Sequence, residues 1–179
     1  MKTLIRKQLH QELLAMETDR ATMFALLEDV EDGKLRQAQK ENAWSVAQVL
    51  VHLVTSEEGI LSYINKKMQS ESLPSANVIS YLRTHALHLL INSPVRFSAP
   101  EIIASPTNDI TFDELKERFN QSRTNLRQLI DDFPEKHLSK LIFRHPISGR
   151  ISLLHCYKFI RLHNKRHYRQ IDRILKSIN

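Results

Sequence analysis

SLLHCYKFIRLHNKRHYRQIDRILKSI, residues 152–178, is the stretch that decides the fold. At about 100° per residue, Leu153, Cys156, Ile160, His163, His167, Ile171, Ile174 and Ile178 fall within one narrow arc. Lys158, Arg161, Lys165, Arg169 and Lys176 fall on the opposite side, with Asp172 among them. This is the period of a long amphipathic helix whose apolar arc faces a core. Two histidines stand in the middle of that arc, where their ring nitrogens need partners once water is removed.

Outward from this helix the chain reads as further helices. Residues 134–151, with His145, Pro146 and Gly149, are expected to form an irregular link. Before them, Thr111 and Glu114 have capping-box spacing, predicting a helix that runs to about Phe133 and ends at Pro134. Residues 92–108 contain Pro94, Pro100 and Pro106 and cannot be helical throughout. Such a long connection is consistent with a crossover between distant bundle helices. A short helix is expected at about 75–91, on Val78, Ile79, Leu82, Leu87, Leu90 and Ile91, after a linker at 69–76. Ser45 and Gln48 form a second capping box. It opens a helix near Trp44 whose stripe, Val46, Val49, Leu50, Leu53, Ile60, Leu61 and Ile64, continues to about Met68. The first helix is expected over about 3–30, on Leu9, Leu13, Met16, Met23, Leu27 and Val30, closed by Glu31, Asp32 and Gly33.

Composition agrees with an all-α chain. Only 3 glycines and 6 prolines among 179 residues leave few tight turns, which favours long helices over many short strands. With 41% hydrophobic and 26% charged residues the chain is globular and large enough to bury a core without disulfides. No repeat or composition break marks a second domain, so one domain over residues 1–179 is expected. The lone Cys156 excludes an intramolecular disulfide. The N-terminal residues have neither a long apolar run nor a small-residue cleavage site, and no stretch approaches the roughly 18 apolar residues of a membrane span. A cytoplasmic protein without a membrane partner is therefore expected. The net charge of +6 is read as a solvated surface.

His163 and His167 lie four apart, one turn along the same face. That spacing lets two imidazoles bind one ion without bending the helix. Further ligands must come from another helix, and His52 is the best candidate. It sits at the edge of its helix's apolar stripe, beside Val49 and Ser56, so the spacing permits the role without compelling it. An ordinary hydrogen-bonded boundary histidine is the other reading at each position. Cys156 is seven residues before His163, roughly 10 Å along the axis, too far to share a first coordination shell. It is expected to be a core thiol, and His155 fails the same test. Gln170, one turn past His167, is either a partner that orients a ligand or a boundary residue. Glu57 and Glu58 are read as a solvated pair rather than as bases. His145 is expected to shape the turn before the last helix, and His10, His85, His88 and His137 to lie at the surface or boundary.

Two segments carry a resemblance. Trp44-Ser45-Val46-Ala47-Gln48-Val49-Leu50-Val51-His52-Leu53 is similar to the opening motif of the DinB/YfiT-like metalloprotein superfamily. His145-Pro146-Ile147-Ser148-Gly149, leading into a helix with His163, His167 and Gln170, resembles its closing motif, His-Pro-x-x-Gly followed by His-x-x-x-His-x-x-Gln. The resemblance implies an all-α four-helix bundle with a crossover connection and an extra short helix in the middle, often as a homodimer. It also implies a divalent metal, commonly nickel or zinc, on three histidines, here His52, His163 and His167. Thiol-dependent transferases and metal-dependent hydrolases in the superfamily imply a small-molecule substrate and a low-molecular-weight thiol as co-substrate. Three imidazoles leave coordination positions open, as catalytic sites do. The competing expectation is a non-catalytic bundle, stapled by its metal, that acts through its surface or as a dimer. A nucleic-acid variant would use Lys158, Arg161, Lys165, Arg169 and Lys176. No DNA-binding motif or interleaved aromatic platform accompanies those charges, and nucleic acid is not an expected partner.

Overall fold

The computed structural model describes residues 2–93 and 106–178. Four long helices, α1 (Lys2–Ala25), α3 (Val46–Met68), α5 (Phe112–Asp132) and α6 (Leu153–Ile178), form the bundle. A short α2 (Asp32–Leu35) and the mid-length α4 (Val78–Asn92) complete the helices among the described residues. Both expected capping boxes are present. Ser45 accepts from the Gln48 amide at the start of α3, and Thr111 accepts from the Glu114 amide at the start of α5. Such a cap is worth about 1 kcal/mol, enough to set where a helix begins. Asn77 and Ser80 cap α4 in the same way.

Packing fixes the direction of each helix. Arg161 of α6 meets Glu12 of α1, and Lys165 meets Asp19, so these two helices run parallel. The N-terminal part of α3 packs with the C-terminal part of α6, so that pair is antiparallel. The starts of α3 and α5 share one apolar cluster and their ends share another, which makes them parallel neighbours. Two adjacent parallel helices that follow each other in the chain require a connection that returns along the bundle. That is the crossover, and α4 begins it. Pro94 and Pro100 fall outside the described residues.

Two expectations are corrected. The link at 134–151 is largely ordered: after a 3-10 turn at Glu135–His137, β1 (Leu141–His145) and β2 (Gly149–Ser152) form an antiparallel hairpin. Strands of five and four residues are too short to show a period. Gly149, at φ +73°, supplies the left-handed residue the turn needs. The first helix ends at Ala25 instead of reaching 30. Leu27 and Val30 continue in turns with three-residue hydrogen bonds, so Leu27 keeps its place in the core although the α-helix has stopped.

The core has two apolar halves. One gathers Leu9, Leu13, Ile60, Ile64, Leu126 and Tyr157 with the hairpin's Ile142 and Ile151. The other gathers Leu27, Val49, Leu53, Phe119, Ile171 and Ile174. No described helix is long and apolar enough to cross a membrane.

Candidate metal centre

His52 projects from the second turn of α3, and His163 and His167 from the middle of α6. Because α3 and α6 are antiparallel neighbours, the rings meet: centroids are 5.3 Å apart for His52–His163, 4.9 Å for His52–His167 and 4.7 Å for His163–His167. One ring nitrogen of each lies within 4.8 Å of the other two. No other group of three His, Cys, Asp or Glu among the described residues converges in this way.

The Nε2 atoms of His52 and His163 are 3.4 Å apart. Two imidazole nitrogens on a tetrahedral zinc-like ion, each at 2.0–2.1 Å, would be separated by about 3.4 Å. The donor set therefore fits a divalent ion. Two of its members, His163 and His167, also have the right protonation state. Burial, followed by the neighbouring His167 and His52, holds His163 well below the ordinary histidine range. Burial and the nearby His52 push His167 down to about 4. Both are neutral near pH 7, as ligands must be.

The surroundings orient the rings. Nδ1 of His167 is 2.8 Å from Oε1 of Gln170, whose carbonyl accepts the ring proton and leaves Nε2 for a ligand. Gln170 is thus the orienting partner of the two readings it had in sequence. Phe159 stacks on His163 with an interplanar angle of 18°, and Trp44 lies 5.0 Å from His52. Neither aromatic side chain was given a role at the site from the sequence. His145 packs on Phe159 at 4.5 Å, and its Nδ1 accepts from the amides of Ile147 and Ser148. It closes the hairpin turn, as its motif suggested, and burial pushes it down to about 4.

The remaining candidates separate from the site. Cys156 is fully buried in the core, and burial raises its thiol pKa. His155 bonds Ser152 through Nδ1 at 2.9 Å and faces α4, not the three histidines. His10 lies near Asp131 on the surface. His137, expected at the surface or boundary, is buried at 3% exposure. Glu57 requires the largest correction. It is 1% exposed, not solvated, and accepts hydrogen bonds from Ser122, Arg123 and Asn164. The apolar stripe of α3 already contained the signal, since position 57 falls between Leu53 and Ile60 on the buried face. Glu58 is exposed and pairs with Arg118.

Comparison with known proteins gives two findings. A model of the DinB superfamily matches residues 15–171. Among solved structures, the chain is similar to YfiT from Bacillus subtilis, described as a probable metal-dependent hydrolase with an unusual four-helix bundle topology. That likeness has a TM-score of 0.57 and 17% sequence identity, and covers 95% of this chain and 87% of that one. At this identity it speaks for the fold. No curated protein sequence matches.

Proposed function

The chain belongs to the DinB superfamily, and from that premise we propose that His52, His163 and His167 hold one divalent metal ion, nickel or zinc, in an enzyme. The reaction proposed is activation of water or a low-molecular-weight thiol for attack on a small-molecule electrophile, as in a hydrolase or a thiol S-transferase. The observation that carries this reading is the 3.4 Å approach of two imidazole nitrogens with a third close by. Ordinary core histidines would each turn to a separate acceptor. When bound, an ion with open coordination positions supplies the Lewis acidity that yields a nucleophile near neutral pH.

The chain's own residues would do the rest. Gln170 fixes the tautomer and tilt of His167. Trp44 and Phe159 wall the rings of His52 and His163 and limit water on those sides. The description of YfiT as a probable metal-dependent hydrolase agrees with this reading.

The surface alternative has less support. Of the five α6 cations that would form such a face, Arg161 pairs with Glu12, Lys165 with Asp19 and Lys176 with Asp172. Charges already matched within the chain add little to a phosphate-binding face. Elemental analysis of the native protein beside His52→Ala and His163→Ala tests the ligand set, and equal metal content in all three defeats it. A panel of esters, and of thiols with electrophilic acceptors, tests catalysis. Turnover no greater than that of the metal-stripped protein leaves only the metal-stapled bundle.

A further inference from the structure

The two apolar halves of the core are separated by one polar layer, and that layer touches all four bundle helices. Its centre is the carboxylate of Glu57 on α3. Oε1 accepts from Arg123 Nη2 at 2.9 Å and from Asn164 Nδ2 at 2.8 Å. Oε2 accepts from Arg123 Nη1 at 2.7 Å and from Ser122 Oγ at 2.6 Å. Ser122 and Arg123 belong to α5, and Asn164 to α6. Glu17 of α1 completes the layer, with a carboxylate oxygen 3.6 Å from Arg123 Nε. The side chains of Glu57 and Arg123 are 2% and 4% exposed, so the charges are removed from water.

Buried ion pairs seldom stabilise a fold more than well-packed apolar residues of the same volume would. Their use is specificity: an apolar layer can repack after a helix slides, whereas a charge that slides loses its partners. The position of this layer gives that specificity a purpose. Asn164 directly follows His163, and Glu57 lies little more than a turn beyond His52. The bond between them joins the same two helices that carry the proposed ligands. A slip of one residue moves a helix by about 1.5 Å and turns it by about 100°. Either change would part nitrogens that now lie 3.4 Å apart.

We propose that Glu57, Arg123 and Asn164 are positioning residues for the three-histidine site, setting the register of α3 against α6 so that His52 meets His163 and His167. This rests on the metal-binding reading above. It predicts that metal affinity and fold stability respond differently to loss of the layer. The test titrates cobalt(II), alone, into the metal-free full-length chain. Affinity and the visible absorption band are read, and thermal unfolding is followed without metal. Asn164→Ala cuts only the tie to α6 and leaves the Glu57–Arg123 pair intact. It should weaken cobalt binding about 10-fold or more, the scale on which outer partners act, and alter the band. The triple variant Glu57→Leu, Arg123→Met, Asn164→Leu should melt no lower than the native chain and still lose affinity by at least that factor. If the triple variant does not fold, Asn164→Ala decides. Native affinity and an unchanged band in either folded variant overturn the proposal while the ligand assignment stands. Failure of the native chain to take up cobalt overturns the ligand assignment, and this inference with it.

Discussion

Helix α6 carries histidines into two different groups. Near its middle, His163 and His167 meet His52 of α3. Near its start, His155 faces His88 and His85 of α4. The first group has ring centroids 4.7–5.3 Å apart and nitrogens that converge. In the second, His88–His155 is 5.9 Å and His85–His88 is 6.5 Å, and Tyr81 packs on His85 at 4.3 Å. The second group is a cluster of aromatic rings around Tyr81 whose nitrogens do not converge as those of the first group do. Three neighbouring imidazoles are therefore not a site in themselves. A site requires that their nitrogens point to one place, and here two helices held in register bring this about.

The largest effect expected from this contrast is on metal content. His163→Ala should reduce metal affinity by more than the roughly 10–100-fold that loss of an outer partner costs. His155→Ala should leave it at the native level. Elemental analysis of the two purified variants checks this, and the reverse pattern would exchange the roles of the two groups.

Next in size is the charge layer that lies beside the first group and not the second. Arg123→Ala leaves the Glu57 carboxylate buried without its charge partner, at a cost of about 3–5 kcal/mol in urea unfolding. A loss under about 1 kcal/mol would mean that water replaces the arginine.

Acid should destabilise the metal-free protein through both groups. His145, His155 and His167 are each pushed down to about 4 in the folded chain, chiefly by burial, and His163 lies well below the ordinary value. The unfolded chain takes up these protons at about 6.5. It therefore binds more protons than the native state at pH values between about 6.5 and 4, and stability falls as pH is lowered through that window. Above about 6.5 these residues cause no pH dependence. Thermal midpoints measured from pH 8 to pH 4 check the sign, and a midpoint that rises on acidification would contradict the buried neutral rings.

Two smaller effects concern the partner that orients one histidine in each group. Gln170→Ala should lower metal affinity about 10-fold. Ser152→Ala, which removes the hydroxyl beside His155, should leave affinity intact and cost about 0.5–1 kcal/mol through the start of α6. Isothermal titration with zinc distinguishes the pair, since equal affinities for both variants would deny Gln170 its role.

Helix α3 illustrates how far a pattern can be read. The stripe from Val46 to Ile64 and the Ser45–Gln48 box identify the helix, its first residue and its buried face, because each depends on neighbours within a few positions. The same stripe contains Glu57, yet a carboxylate in a sequence reads as solvated, since its buried partners lie 65, 66 and 107 residues away. The hairpin escaped for a related reason. Its short strands are defined by pairing with each other across the turn at 146–148 and not by any period of their own.

Local spacing determined the long helices, their caps, the core thiol at Cys156 and the placing of His163 and His167 on one face, and it permitted His52 without choosing it, because helix geometry is a nearest-turn property. Tertiary packing decided that α3 lies antiparallel beside α6, that His52 reaches His163, that Gln170 turns to His167 and that Glu57 is buried. Those outcomes depend on which helix faces which and in what register, and this is set by burial and charge pairing between residues remote in the chain.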